Sequence, residues 1–142
     1  MYSEKVIEHF QNPHNYGRIE NPDGIGEVGN MKCGDIMKLY IKLKGDAIED
    51  IKFETFGCAA AIATSSVVTD LAKGKSIEDA LKINAKDVVD SLGGLPNIKV
   101  HCSLLAIDAL SEAVYDYYKN TGKEISEDLK KKHESIKKRD DE

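Results

Sequence analysis

The sequence predicts an α+β fold, and three observations carry that expectation. Two alternating apolar runs flank a short Gly-Asp connection in the first half, capped segments of helical period fill the second, and the strands precede the helices.

Taken in order, Ser3 can cap a short helix in which Val6, Ile7 and Phe10 fall at helical spacing, and Pro13 and Gly17 in NPHNYG stop it. From Asn12 to Gly29 the chain is rich in Asn, Pro and Gly and reads as an ordered loop or a flexible arm. In DIMKLYIKL, Met37, Leu39, Ile41 and Leu43 point one way and Lys38, Tyr40 and Lys42 the other. IEDIKFETF alternates again through Ile51, Phe53 and Thr55, so KGDA between the runs reads as the turn of a β-hairpin.

AAAIATSSVVTDLAKG predicts a helix ending at Gly74, and Ser76 caps the next segment with Asp79 as a weaker partner. Asn84 and Asp87 mark a further short helix closed by Gly93 and Gly94. A last long helix runs from about Cys102 to Lys119, with Ala106, Ala109, Leu110, Ala113 and Tyr117 continuing the side of Cys102. The tail over 123–142 has a thin apolar stripe at Ile125, Leu129 and Ile136 amid charge, which predicts a solvated or frayed helix.

At 142 residues and 41% hydrophobic content, one domain with a core is expected. A net charge of −5 with acid and base interspersed leaves no large basic face for nucleic acid. No run approaches a membrane span, and three cysteines without a secretory signal argue for reduced thiols in the cytoplasm.

The hairpin decides whether the thiols meet. A two-residue turn at Gly45 and Asp46 would set Cys33 opposite Cys58, yet it would also set Leu39 against Lys52 and Met37 against Glu54, which polarity rejects. A three-residue turn pairs Leu39 with Phe53, Ile41 with Ile51 and Met37 with Thr55. Either register brings Cys33 and Cys58 to one end of the hairpin. Asp35 lies two residues from Cys33 and, on an extended strand, projects to the same face; it reads equally as a capping residue of the strand end. Cys58 and Cys102 each open a helix, where unpaired N–H groups favour thiolate over thiol, although each alone reads as a small buried hydrophobe too. His101 is a candidate further ligand, whereas His9, His14 and His133 read as ordinary polar residues. Nothing in the spacing folds His101 and Cys102 back onto the hairpin end.

The stretches EKVIEHFQNPHNYG, GNMKCGDIMKLYIKL, FETFGCAAAIATSSVVTDLAKGKS and LPNIKVHCSLLAIDAL together resemble the IscU/NifU N-terminal family of iron-sulfur cluster assembly scaffolds. The resemblance spans roughly residues 2–120, so a scaffold domain over 1–122 is expected, followed by the charged tail. It implies an α+β domain with a small antiparallel sheet of about three strands packed on one side by several helices, as in IscU and SufE. It also implies that Cys33, Cys58 and Cys102 converge with Asp35 and His101 on one metal site.

By the same resemblance, the function is assembly of a [2Fe-2S] cluster from iron and sulfur, with zinc as another occupant of the site. This is a scaffold's task rather than a turnover enzyme's. Cys102 is the nominated persulfide acceptor. The implied partners are a cysteine desulfurase, an electron donor such as ferredoxin, acceptor apoproteins and a second copy of the chain when cluster-bound. An Hsp70-type chaperone reads Leu-Pro-Pro-Val-Lys in the family; Asn97 and Ile98 in LPNIK relax that extended segment and weaken the case for this partner. Ala59 stands where the family has Gly, which stiffens the loop carrying Cys58.

The alternative is a zinc-bound sulfur relay of the SufU type, whose insertion between the second and third cysteines the run from Cys58 to Cys102 lacks. A cysteine-nucleophile enzyme ranks lower, because adjacent His101 is badly placed as a base. A structural zinc domain would be expected to show paired Cys-x-x-Cys or His-x-x-x-His clips.

Overall fold

A computed structural model describes residues 3–30, 35–95 and 100–140. The chain runs α1 (Glu4–Gln11), β1 (Gly24–Asn30), β2 (Asp35–Lys44), β3 (Ala47–Phe56), α2 (Ala59–Ala72), α3 (Ile77–Ala80), α4 (Ala85–Ser91), α5 (Val100–Thr121) and α6 (Glu127–Asp140). The strands form one antiparallel sheet in the order β1-β2-β3. The expected α+β architecture is therefore observed.

The hairpin uses both registers weighed from the sequence. Next to the turn, Lys44 faces Ala47 across Gly45 and Asp46, with Gly45 at φ +63° where a two-residue turn of the II′ kind needs glycine. The register then shifts between Lys42 and Leu43, and beyond the shift Ile41 faces Ile51, Leu39 faces Phe53 and Met37 faces Thr55. A one-residue irregularity thus joins the turn that glycine favours to the pairing that the apolar face requires.

Residues 24–30 are a strand rather than loop or arm. Gly24 and Gly26 misled the sequence reading because they resemble turn signals. A Cβ on Gly26 would lie 2.0 Å from the carbonyl oxygen of Ala109, and one on Gly24 2.2 Å from that of Ala113. The glycines allow α5 to lie directly on β1, opposite its alanines. Val28, Met37, Leu39, Ile41, Ile51 and Phe53 fill the same buried face.

The segment before β1 is ordered. Gly17 N–H donates to the Phe53 carbonyl and Phe53 N–H to the Asn15 carbonyl, at 2.8 and 3.0 Å. These bonds cover the free edge of β3 at one end, and a bridge between Ala47 and Ser76 covers it at the other. Ser3 caps α1 by accepting from Val6 N–H at 3.2 Å, and its hydroxyl donates to the Leu92 carbonyl.

The central helix is α2. Alanine suits its interior, and the helix packs on the sheet, α5 and α1, burying Thr64, Ser65, Ser66 and Thr69 along with most of its alanines and its valines while Asp70 stays exposed. Helix α6 is not merely a solvated extension. Leu129 and Ile136 are buried, His133 stacks on Tyr115 with ring centroids 3.8 Å apart, and His133 Nδ1 lies 2.6 Å from Glu112 Oε2. No helix among the described residues is long and apolar enough to cross a membrane.

Candidate metal centre

Cys58 is the N-cap of α2, with extended backbone at φ −77° and ψ 172° and no side-chain capping bond. Cys102 is the third residue of α5. Both sulfurs therefore sit where a helix presents unpaired N–H groups, an environment suited to negative charge. Helix α2 and the start of α5 are tied together: the Thr64 hydroxyl, in the second turn of α2, shares its one hydrogen between the Ala61 carbonyl at 3.1 Å and the Cys102 carbonyl at 3.3 Å.

The result is a distance of 3.8 Å between Cys58 Sγ and Cys102 Sγ. A disulfide would need about 2.05 Å, so these are two thiols. Two sulfurs each about 2.3 Å from one tetrahedral ion are separated by roughly 3.8 Å. The pair is thus spaced as two ligands of a single metal, although 44 residues separate them in the chain. Cys102 is fully buried and Cys58 half-buried. Phe56, two residues before Cys58, and Leu104, two after Cys102, are exposed at 81% and 48%.

At the hairpin's open end Ile36 pairs with Phe56, so β2 begins where β3 delivers the chain to Cys58. Cys33 lies outside the described residues, as do Pro96, Asn97, Ile98 and Lys99 of the LPNIK segment. The backbones of Asp35 and His101 belong to β2 and α5, but their side chains fall outside the description. Of the five candidate ligands, the structure brings together the two sulfurs it describes.

One cluster escaped the sequence reading. His9 and His14 approach with ring centroids 4.6 Å apart, and His14 Nδ1 lies 2.5 Å from Asp70 Oδ2. The signal was the pairing of a histidine on α1 with one on the arm behind it, which becomes visible only once both dock on α2.

A second polar group lies on the sheet's outer face. Arg18 Nε donates to both carboxylate oxygens of Glu54 at 2.9 and 3.0 Å, and Tyr40 Oη donates to Glu54 Oε1 at 2.7 Å. Burial, reinforced by the Glu54 hydrogen bond, pushes the Tyr40 phenol up to about 12. The Tyr40 and Arg18 hydrogen bonds hold the Glu54 carboxyl below its ordinary value.

A family model for the NifU-like N-terminal domain matches residues 1–124. The iron-sulfur cluster assembly scaffold protein IscU 1 of Archaeoglobus fulgidus is 63% identical over 123 residues, covering 87% of this chain and 80% of that protein. The scaffold protein IscU of Escherichia coli strain K12 is 50% identical over 120 residues, covering 82% and 93%. Among solved structures, a putative iron-sulfur cluster assembly scaffold protein for the SUF system from Fervidobacterium islandicum superposes with a TM-score of 0.66 at 28% identity, covering 80% of this chain and 96% of that one.

Proposed function

The chain belongs to the NifU-like N-terminal domain family, and we propose that it is a scaffold on which iron-sulfur clusters are assembled and from which they pass to acceptor proteins. The observation that supports this reading most directly is the 3.8 Å approach of Cys58 and Cys102 at two helix starts.

The cluster is cargo, and the proposed ligand set suits cargo. Thiolates from Cys33, Cys58 and Cys102 favour iron-sulfur chemistry, but they are one short of the usual four. Asp35 or His101 supplies the remaining ligand in this reading. A carboxylate or imidazole is a poorer partner for the cluster than a thiolate, so the assembly is held loosely enough to leave. The cluster in this reading is a [2Fe-2S] cluster, as the family resemblance implies. Iron and desulfurase-derived sulfur are the inputs, and a ferredoxin-like protein supplies electrons.

Cys102 is the proposed persulfide acceptor. It is fully buried, so acceptance by this thiolate requires the first turn of α5 to open, because exchange needs an accessible attacking sulfur. Mass spectrometry after reaction with the desulfurase should find the persulfide on the Cys102 peptide; persulfide on Cys58 alone would overturn the assignment.

The likeness to the SUF-system structure is compatible with a second reading, a zinc-bound sulfur relay. Oxygen-free reconstitution with iron, cysteine and a desulfurase, followed by transfer to an apo-ferredoxin, separates the two. A scaffold gains visible cluster absorption and then loses it as the ferredoxin gains activity. A colourless zinc protein that accepts sulfur without building a cluster would favour the relay.

A further inference from the structure

We propose that His9, His14 and Asp70 form a second metal site, separate from the cysteines, which takes a divalent first-row cation such as Zn(II) and clasps the N-terminal arm to α2. The inference does not depend on the scaffold reading. Asp70 lies twelve residues beyond Cys58, close to 18 Å along the axis of the same helix at about 1.5 Å per residue.

One ring nitrogen from each histidine and one oxygen of Asp70 lie within 4.8 Å of one another. Ligands at about 2.0–2.2 Å from a tetrahedral zinc are roughly 3.4 Å apart, so the widest pair must close by about 1.5 Å at most. The exposed side chains of His14 and Asp70, 46% and 42% accessible, have room for that rotation. In the metal-free state His14 Nδ1 and Asp70 Oδ2 are hydrogen-bonded at 2.5 Å. A cation bound at His14 Nδ1 replaces that hydrogen bond, and the neutral imidazole then carries its N–H on Nε2.

The surrounding groups orient the ligands as the outer shell of a metal site does. Ser66 Oγ, 2.7 Å from His9 Nδ1, fixes the His9 ring, and the same hydroxyl accepts from His14 N–H at 2.8 Å. Asn15 Nδ2 donates to Asp70 Oδ1 at 3.0 Å and to Thr69 Oγ1 at 3.1 Å. Two imidazoles and one carboxylate suit zinc, cobalt, nickel or copper rather than magnesium or calcium. Three protein ligands leave a position for water, so this ion exchanges more readily than one held by thiolates.

The test is a Zn(II) titration of the full chain by calorimetry, with amide exchange followed over residues 4–18. Beyond the equivalent taken by the cysteines, about one further equivalent should bind and slow exchange in the arm. Asp70→Asn, which keeps hydrogen-bonding capacity toward Asn15, and His14→Gln should each lose that equivalent while circular dichroism stays unchanged. A Co(II) titration gives a second readout: the extra equivalent should lack the sulfur-to-metal absorption of the first and persist when the three cysteines are replaced by serine. Stoichiometry that both variants leave intact, or no equivalent beyond the cysteine site in the parent chain, overturns the proposal.

Discussion

At the scale of single residues, the account turns on the hardness of a few ligands and the burial of a few polar groups. Asp35 is the oxygen donor among the two candidates for the fourth ligand, and in that role it keeps the cluster exchangeable, so Asp35→Ala should slow transfer to apo-ferredoxin by about tenfold or more while assembly persists; stopped-flow absorption of the holo-protein checks this. The outer face of the sheet supplies a pH signature. Unfolded, Tyr40 ionises near 10; folded, it holds its proton to about 12. Between these values the unfolded chain has lost a proton that the folded chain keeps, so stability falls as pH rises through that window. Ultraviolet titration should show a late-ionising phenol that disappears in Tyr40→Phe and shifts downward in Glu54→Gln. At this scale the sequence displayed residue types but not their company. Cys102 was legible as a thiol at a helix start, yet its approach to Cys58 depends on α5 packing against α2, and the alternating or helical pattern of neither segment encodes that contact.

At the scale of elements, two glycines with different duties make a direct comparison. Gly26 faces the backbone of α5, so Gly26→Ala forces strand and helix apart and should cost about 3 kcal/mol, the upper part of the overpacking range. Gly45 has open space around its Cβ position and only its φ of +63° to defend, so Gly45→Ala should cost about 1 kcal/mol. Urea unfolding of both variants checks the ranking. The same pair explains what was readable. The hairpin was legible because alternation and turn chemistry agreed over most of its length, and the sequence could choose the correct pairing beyond Lys42 on polarity alone. It could not foresee that the turn would keep the other register and reconcile the two by a shift. Strand β1 was missed because Gly24 and Gly26 serve close approach rather than a turn, a role that appears only beside Ala109 and Ala113.

At the scale of the whole molecule, α5 spans the fold: it lies along β1, anchors Cys102 beside Cys58 at its start, and receives α6 toward its far end. The family match ends at residue 124, before α6. A chain truncated after residue 124 should therefore fold and still bind metal through its cysteines. It should lose roughly 2–4 kcal/mol through exposure of the surface that Leu129 and Ile136 cover. Thermal unfolding beside metal titration reads both effects, and loss of cysteine-bound metal on truncation would contradict this division of labour. The central claim, that three sulfurs distant in the chain share one inorganic centre, is tested most directly by X-ray absorption at the metal edge. The sample is the Asp70→Asn chain loaded with one equivalent of Zn(II). The account predicts about three sulfur neighbours with one lighter donor, falling to about two in Cys33→Ser; two or fewer sulfurs in the parent, or a count indifferent to Cys33, would contradict it.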